Sequence, residues 1–382
     1  MAAKKAKAPP TKKDRIGQFL SSDTAKSIAK RFGGNIVSRA SEAKGLELRY
    51  LPTGITELDM ALDGGFPAGR IHVVYGHKSG GKTTVTLKTL AQAQIRCANC
   101  CALFDECTCG HQRETMAAFI DVEGTFEPSW AKRHGIDMDR LILVKPEYAE
   151  QALDIAEALI ESRECDILVI DSVAFLAPNE ELMKAHDEAT VGAQARIMGK
   201  GTRKFVTRLT GYENIDDDIR KPTIFLINQI REKVGVKYGS PEIQPGGKAF
   251  GFAATVELKM QGAGLKDVDS APRFDGKTVK IPAKAMLKFK VTKNKAGTMG
   301  RSGELFILVD HSSEGPKGAF IEGEYLLSEG KKRGVIRQDG KTWKVGDHEF
   351  RVIADVAEAL YSNDELAHEV RELLLEHGRQ TL

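Results

Sequence analysis

The stretch Gly76-His77-Lys78-Ser79-Gly80-Gly81-Lys82-Thr83 places a glycine-rich turn ahead of a lysine and a hydroxyl. In that order the residues form a Walker A pattern. The glycines let backbone N–H groups converge on phosphate oxygens, and the start of a helix adds favourable dipole charge. Lys82 reaches the terminal phosphates, the Thr83 hydroxyl is placed to ligate Mg²⁺, and Thr84 follows it into the same grip. Ile71–Tyr75 reads as a buried strand before the turn, and Thr83–Ile95 has helix-compatible apolar spacing after it, which is the context the pattern needs.

Three other apolar runs end in groups that could complete such a site. Ile167-Leu168-Val169-Ile170 ends in Asp171, a carboxylate able to share a Mg²⁺ shell with Thr83. Phe119-Ile120 leads into Asp121-Val122-Glu123, where a carboxylate could orient and deprotonate a water; Glu123 is the candidate and Asp121 its competitor, with a turn-capping role as the alternative. Thr223–Ile227 closes with Asn228 and Gln229, amides that can sense a γ-phosphate and move the segment that follows. That segment carries Arg231, Lys233, Lys237, Gly246, Gly247 and Lys248, and Arg196, Arg203 and Lys204 stand upstream. Cations among glycines suit a phosphate backbone, and an ordinary solvated loop fits equally well.

These groups need a scaffold that brings strand ends together. Strand-like runs at Ile71–Tyr75, Met116–Ile120, Leu141–Val144, Ile167–Ile170 and Thr223–Ile227 alternate with helical stretches, which predicts an α/β fold with a mostly parallel sheet whose ligands lie at the carboxyl ends of its strands. Runs at Thr255–Met260, Ala285–Thr292 and Glu304–Val309 predict an antiparallel extension. Residues 1–46 hold a basic tail and one or two amphipathic helical segments (Asp14–Phe32), residues 47–311 the core, and residues 312–382 a small α+β unit with helical patterns at Val356–Leu360 and Leu366–Leu375.

The 382 residues are 41% hydrophobic and 29% charged, which fits a globular protein and excludes a disordered or fibrous one. No apolar run is long enough for a bilayer, and the opening MAAKKAKAPPTKK lacks a secretory apolar centre, so a cytoplasmic, membrane-free protein is expected. The net charge is +3, and Lys4, Lys5, Lys7, Lys12 and Lys13 more than account for it. Any nucleic-acid surface must therefore be a local patch.

The stretches ALDGGFPAGRIHVVYGHKSGGKTTVTL, FIDVEGTFEP, DILVIDSVAFLAP, FLINQIREKVGVKYGSPEIQPGGKAFGF and KVTKNKAG resemble the bacterial RecA-type recombinases. The resemblance runs from about Leu51 to Leu375 apart from one insertion. It implies a RecA-like P-loop ATPase core with ATP and Mg²⁺ as cofactors and an N-terminal oligomerisation helix. Its expected partners are single-stranded DNA, homologous double-stranded DNA and further copies of the chain in a helical filament. On matching positions it implies Glu123 as catalytic glutamate, Asp171 as Walker B acid and Gln229 as the coupling glutamine. Lys293 and Lys295 would complete a neighbour's ATP site, Trp130 would stack on adenine, and Glu127 would lie near the base. Val191–Arg196 with Arg203 corresponds to the first DNA loop, Arg231 to Lys248 to the second, and Val234 to an apolar residue that props bases apart. A ring-forming helicase or branch-migration motor, and a passive ATP-switched coat on single-stranded DNA, are the alternative functions on such a core.

Two features depart from the family pattern. His77-Lys78-Ser79-Gly80 stands where Pro-Glu-Ser-Ser is familiar, and the closing LLLEHGRQTL lacks the acidic tail of several members, so self-inhibition by such a tail is not expected. The insertion, residues 97–115, holds five of the six cysteines. Cys97, Cys100, Cys107 and Cys109 could bind a structural Zn²⁺, with Cys101 or His111 as substitutes, or could remain free thiols.

Overall fold

The computed structural model of the chain describes residues 12–32, 37–39, 41, 48–183, 192–211, 221–232, 242–246, 249–272, 278–311 and 315–380. Its centre is a nine-stranded sheet. In chain order the strands are β1 (Ile71–Gly76), β2 (Ala117–Asp121), β3 (Leu141–Val144), β4 (Ile167–Asp171), β5 (Thr223–Gln229), β6 (Val256–Pro272), β7 (Thr278–Asn294), β8 (Ser302–Leu308) and β9 (Phe320–Ile321). Across the sheet they lie in the order β9-β8-β7-β6-β1-β5-β4-β2-β3. The pairings among β1 to β5 and between β1 and β6 are parallel, and those from β6 through β9 are antiparallel.

Period-two alternation gives each parallel strand two apolar faces. Val74, Phe119, Val169, Phe225 and Ile227 pack with Val85, Leu87 and Leu90 of the phosphate-loop helix (Lys82–Gln94), and Leu258, Met260 and Phe289 extend that layer. Val73, Ile120, Ile170, Ile224 and Leu226 pack on the other face, against the helices Ala149–Ser162, Ala193–Gly211 and Ala249–Ala253. Both faces are covered, so the strands read as nearly continuous apolar runs. Each fully buried Leu, Ile or Phe contributes ~1.5–3 kcal/mol.

The expected amphipathic segment forms two helices, Lys12–Leu20 and Asp23–Phe32. Ile16 is 52% and Phe19 47% exposed, whereas Ala25 is buried. Beyond the core, the helices Gly323–Arg333, Ile353–Ser362 and Asp364–Gln380 and a three-stranded antiparallel sheet surround a separate cluster that includes Leu326, Val356, Val370 and Leu374. The strand β9 extends the core sheet past residue 312. Arg371 ties the C-terminal cluster to the core through Glu322 and the Thr56 hydroxyl, each at 2.8 Å. No described helix is long and apolar enough to cross a membrane.

Candidate functional site

The phosphate loop leaves β1 at the carboxyl edge of the sheet. Gly76 is required there because a Cβ would lie 1.8 Å from the Met260 carbonyl oxygen. Gly81, the N-cap of the helix Lys82–Gln94, has φ 79°, a left-handed conformation suited to glycine. Lys78, Ser79 and Gly80 complete the turn, in which Ser79 also has a positive φ of 58°. The Lys82 side chain is 6% exposed, and its ammonium donates to the His77 carbonyl at 2.6 Å. Burial holds that ammonium below the ordinary lysine pKa, opposed by the charges of Asp171 and Glu123.

Thr83 donates its hydroxyl to Asp171 Oδ2 at 2.6 Å. Burial pushes the Asp171 carboxyl up to about 6, with the Thr83 hydrogen bond acting in the opposite direction. A hydroxyl and a carboxylate side by side are hard oxygen donors of the kind Mg²⁺ takes, alongside waters and phosphates. The pair fits that ion.

The two carboxylates after β2 have different surroundings. Asp121 accepts the N–H groups of Thr125 and Phe126 at 3.1 and 3.0 Å and thereby caps the turn. Glu123 lies beyond that turn's start and accepts from the Ser172 hydroxyl and from Gln229 Nε2, the latter at 2.8 Å. Ser172 went unread in the sequence; its signal was a hydroxyl immediately after the Walker B acid. Asn228 donates to the Pro245 carbonyl at 3.1 Å, and the short pairing Arg231↔Ile243 and Glu232↔Glu242 closes the base of the second basic segment. Glu123 and Gln229 are thus joined by a direct hydrogen bond, and Asn228, the chain neighbour of Gln229 that accepts its N–H at 2.9 Å, bonds the root of that segment.

A further contact at this edge was not read from the sequence. Glu242 accepts from Lys259 Nζ at 2.6 and 2.8 Å and lies 3.5 Å from His77 Nε2, placing the phosphate loop beside the same root. His77 is one of the residues that depart from the family pattern, and that departure was the available signal.

Of the other basic residues, Arg196, Arg203 and Arg231 are exposed. Gln194 fixes the start of the helix Ala193–Gly211 by donating to the carbonyls of Ala174 and Leu176, both at 3.1 Å, just after Asp171. Gly246, at φ 82°, packs against Met198 and Phe250. Lys204 does not join the exposed cations: its ammonium meets Glu157 at 2.5 Å, so it belongs to a contact between helices. Lys233, Val234, Lys237, Gly247 and Lys248 lie outside the described residues, as do Val191 and the lysines Lys4, Lys5 and Lys7.

Trp130 is half-buried, with Nε1 3.4 Å from the Thr84 hydroxyl, its ring edge-on to His134 at 4.7 Å and Gly318 close against it. Glu127 accepts from the Ser129 N–H at 3.0 Å and caps the helix Pro128–Arg133. Lys293 and Lys295 are not brought to the phosphate loop. They donate to the carbonyls of Gly251 and Phe252, the second at 3.0 Å. Burial and then the neighbouring Lys295 hold Lys293 below its ordinary pKa.

The four cysteines Cys97, Cys100, Cys107 and Cys109 converge, with all four sulfurs within 4.8 Å of one another. Cys165 is separate, buried beside β4.

A model of the RecA N-terminal domain matches residues 20–312. Protein RecA of Fusobacterium nucleatum is 37% identical over 300 residues, covering 77% of this chain and 70% of its own. Protein RecA of Thermus aquaticus is 34% identical over 358 residues, 92% of each chain, and that of Lactococcus lactis is 36% identical over 350 residues, 90% of this chain and 81% of the relative. The chain belongs to the RecA family.

Proposed function

We propose that this chain is a DNA recombinase acting in recombination and repair: a DNA-dependent ATPase that polymerises on single-stranded DNA, pairs that strand with homologous duplex and exchanges strands in the cytoplasm. The observation that carries the reading is the hydrogen bond from Gln229 to Glu123, 2.8 Å long, at the root of a basic segment. It supplies a physical path by which nucleotide state and DNA grip can influence each other.

In this reading residues 76–84 hold the triphosphate, with Lys82 as its main cation, and Trp130 and Glu127 face the base. Thr83 and Asp171 would hold Mg²⁺, which when bound neutralises phosphate charge. Glu123 takes a proton from the attacking water. Gln229 senses the terminal phosphate and adjusts the segment from Arg231 to Lys248. Arg196, Arg203, Arg231, Lys233, Gly246, Gly247 and Lys248 track the DNA backbone, and Val234 separates bases. Lys293 and Lys295 serve a neighbouring copy's nucleotide, and the exposed Ile16 and Phe19 dock on a neighbour. A structural Zn²⁺ belongs to the cysteine-rich insertion. Residues 1–46, 47–311 and 312–382 act respectively as docking arm, motor and appended unit.

The test is ATP hydrolysis with and without single-stranded DNA, combined with electron micrographs of the same samples. DNA-stimulated turnover with long filaments is the expected result. Discrete hexamers that unwind a fork would replace this reading with a helicase, and filaments without turnover would reduce it to a coat.

A further inference from the structure

We infer that Cys97, Cys100, Cys107 and Cys109 form a closed tetrathiolate Zn²⁺ site, and that this site clamps the far end of the phosphate-loop helix to the strand leading to Glu123. The inference deepens the zinc element of the proposed function and is independent of the recombinase reading.

The sulfur spacing suits the ion. Zn–S bonds of ~2.3 Å arranged as a tetrahedron put sulfurs ~3.8 Å apart. Here Cys97 and Cys109 are 3.9 Å apart, Cys100 and Cys107 3.4 Å, and Cys107 and Cys109 3.3 Å, with all thiols free of disulfides. A Cys101 N–H bond to the Cys97 carbonyl, 2.9 Å, closes the turn that brings Cys97 and Cys100 together, with Cys101 at φ 64°. Neither Cys101 nor His111 belongs to the convergent set, and the His111 carbonyl accepts from the Asn99 side chain. Four soft ligands complete the shell and leave no open position, which makes the site structural rather than catalytic.

The insertion also needs such a tie. Between Cys97 and Thr115 the buried residues are Cys97, Asn99 and Thr115, so no apolar core exists to offset the entropy of ordering it. Two isolated bridges, Arg96↔Leu103 and Cys97↔Glu114, are the strand pairing available among the described residues.

Its position gives the clamp its consequence. The phosphate-loop helix ends at Gln94, and Cys97 follows almost at once. The Thr115 hydroxyl donates to the Arg96 carbonyl at 3.0 Å, while Asp166, next to β4, accepts from the Arg113 guanidinium and from the Met116 N–H at 2.8 Å. β2 begins at Ala117. Metal binding in the hairpin therefore fixes one helix end and one strand start together.

The test uses the full chain purified without chelator. Elemental analysis should find one zinc per chain, released when a mercurial blocks the thiols and detected by a chromogenic chelator. Replacement by Co²⁺ should give thiolate charge-transfer and tetrahedral d–d bands. Zinc should be lost in C107S/C109S and kept in C101S and H111A. In hydrogen exchange, metal removal should reduce protection of residues 95–116 at least ~10-fold while Ile167–Ile170 stays protected. A metal-free chain from zinc-supplemented cells, or bound iron, overturns the zinc assignment. Loss of zinc in C101S or H111A with retention in C107S/C109S overturns the ligand set. Stoichiometric zinc whose removal leaves exchange unchanged overturns the clamp alone.

Discussion

Replacing Glu123 by Gln separates the proposed proton acceptor from the scaffold around it. The amide keeps the side chain's shape, and its oxygen can still accept from Ser172 and from Gln229 Nε2, now 2.8 Å from the carboxylate. The connection to the basic segment is therefore retained while the anionic base is lost. Loss of a general base costs ~10²–10⁴ in rate, equivalent to about 3–5 kcal/mol of barrier. Nucleotide affinity should change little, because Glu123 is not among the groups proposed to grip phosphate. Its charge also raises the Asp171 pKa, so removing it makes Asp171 easier to ionise. The assay is single-turnover hydrolysis at saturating single-stranded DNA, with nucleotide and DNA binding measured on the same preparation. The expected outcome is slow turnover with binding preserved and long-lived filaments. Turnover within roughly threefold of the parent would refute the argument, since no general-base contribution would then be visible. Asp121→Asn is the control: its carboxylate is engaged by Thr125 and Phe126, so its loss should destabilise the turn rather than selectively remove the chemical step.

Gln229→Ala removes a charge-assisted hydrogen bond, ~1.5–3 kcal/mol in general, and should bring the ratio of ATPase rates with and without single-stranded DNA close to one while some DNA-free hydrolysis remains. Lys293→Ala/Lys295→Ala should be inactive alone, but mixing it equally with Glu123→Gln should restore up to about a quarter of parental hydrolysis, because random neighbours complete that share of interfaces; no recovery in mixed filaments would count against donation between subunits. His72 is wholly buried, and burial pushes its pKa down from 6.5 to about 3, against its bond to the Pro67 carbonyl. Its contribution is therefore present above pH 6.5 and lost toward pH 3 as the unfolded chain takes the proton first; at pH 5 the loss is about 2 kcal/mol, and urea unfolding at pH 7 and pH 5 should show a smaller pH difference in His72→Gln.

The interior strands were legible because burial on both faces leaves an unbroken apolar signature. Ile167-Leu168-Val169-Ile170 can be read without knowing its neighbours. The signature fades where one strand is held mainly by its partner. The expected run Thr255–Met260 begins one residue ahead of β6 and Ala285–Thr292 is part of β7; both strands are seventeen residues long, and their outer portions include Lys266, Asp267, Lys280 and Lys284 along the ladder. The C-terminal strands Ile336–Asp339 and His348–Phe350 were missed for the same reason: they are short and mostly exposed. Phosphate-loop chemistry was legible because its backbone demands glycine at particular places. The roles of Asp121 and Glu123 could be offered only as alternatives, because choosing between them depends on the fold bringing Thr125 and Phe126 to the one and Gln229 to the other.

The position of the two lysines connects catalysis to assembly on the proposed reading. β6 runs parallel to β1 with Val256 opposite His72 and Met260 opposite Gly76, and Asn294 of β7 pairs with Val256. Lys295 consequently lies at the amino edge, whereas the phosphate loop leaves the carboxyl edge. From Ile71 to Gly76 the strand advances ~16 Å, too far for a lysine stem of ~6 Å. The sheet itself also intervenes: the lysines bond to the helix Ala249–Ala253 on one face, while Lys82 opens the helix packed on the other. A rotamer change within one chain cannot unite them. A second copy can, if its amino edge meets the first copy's carboxyl edge, and repetition of that head-to-tail contact yields either a ring or an open helix. The same contact would then build the polymer and complete each nucleotide site, which makes hydrolysis depend on assembly without requiring a separate signal between them.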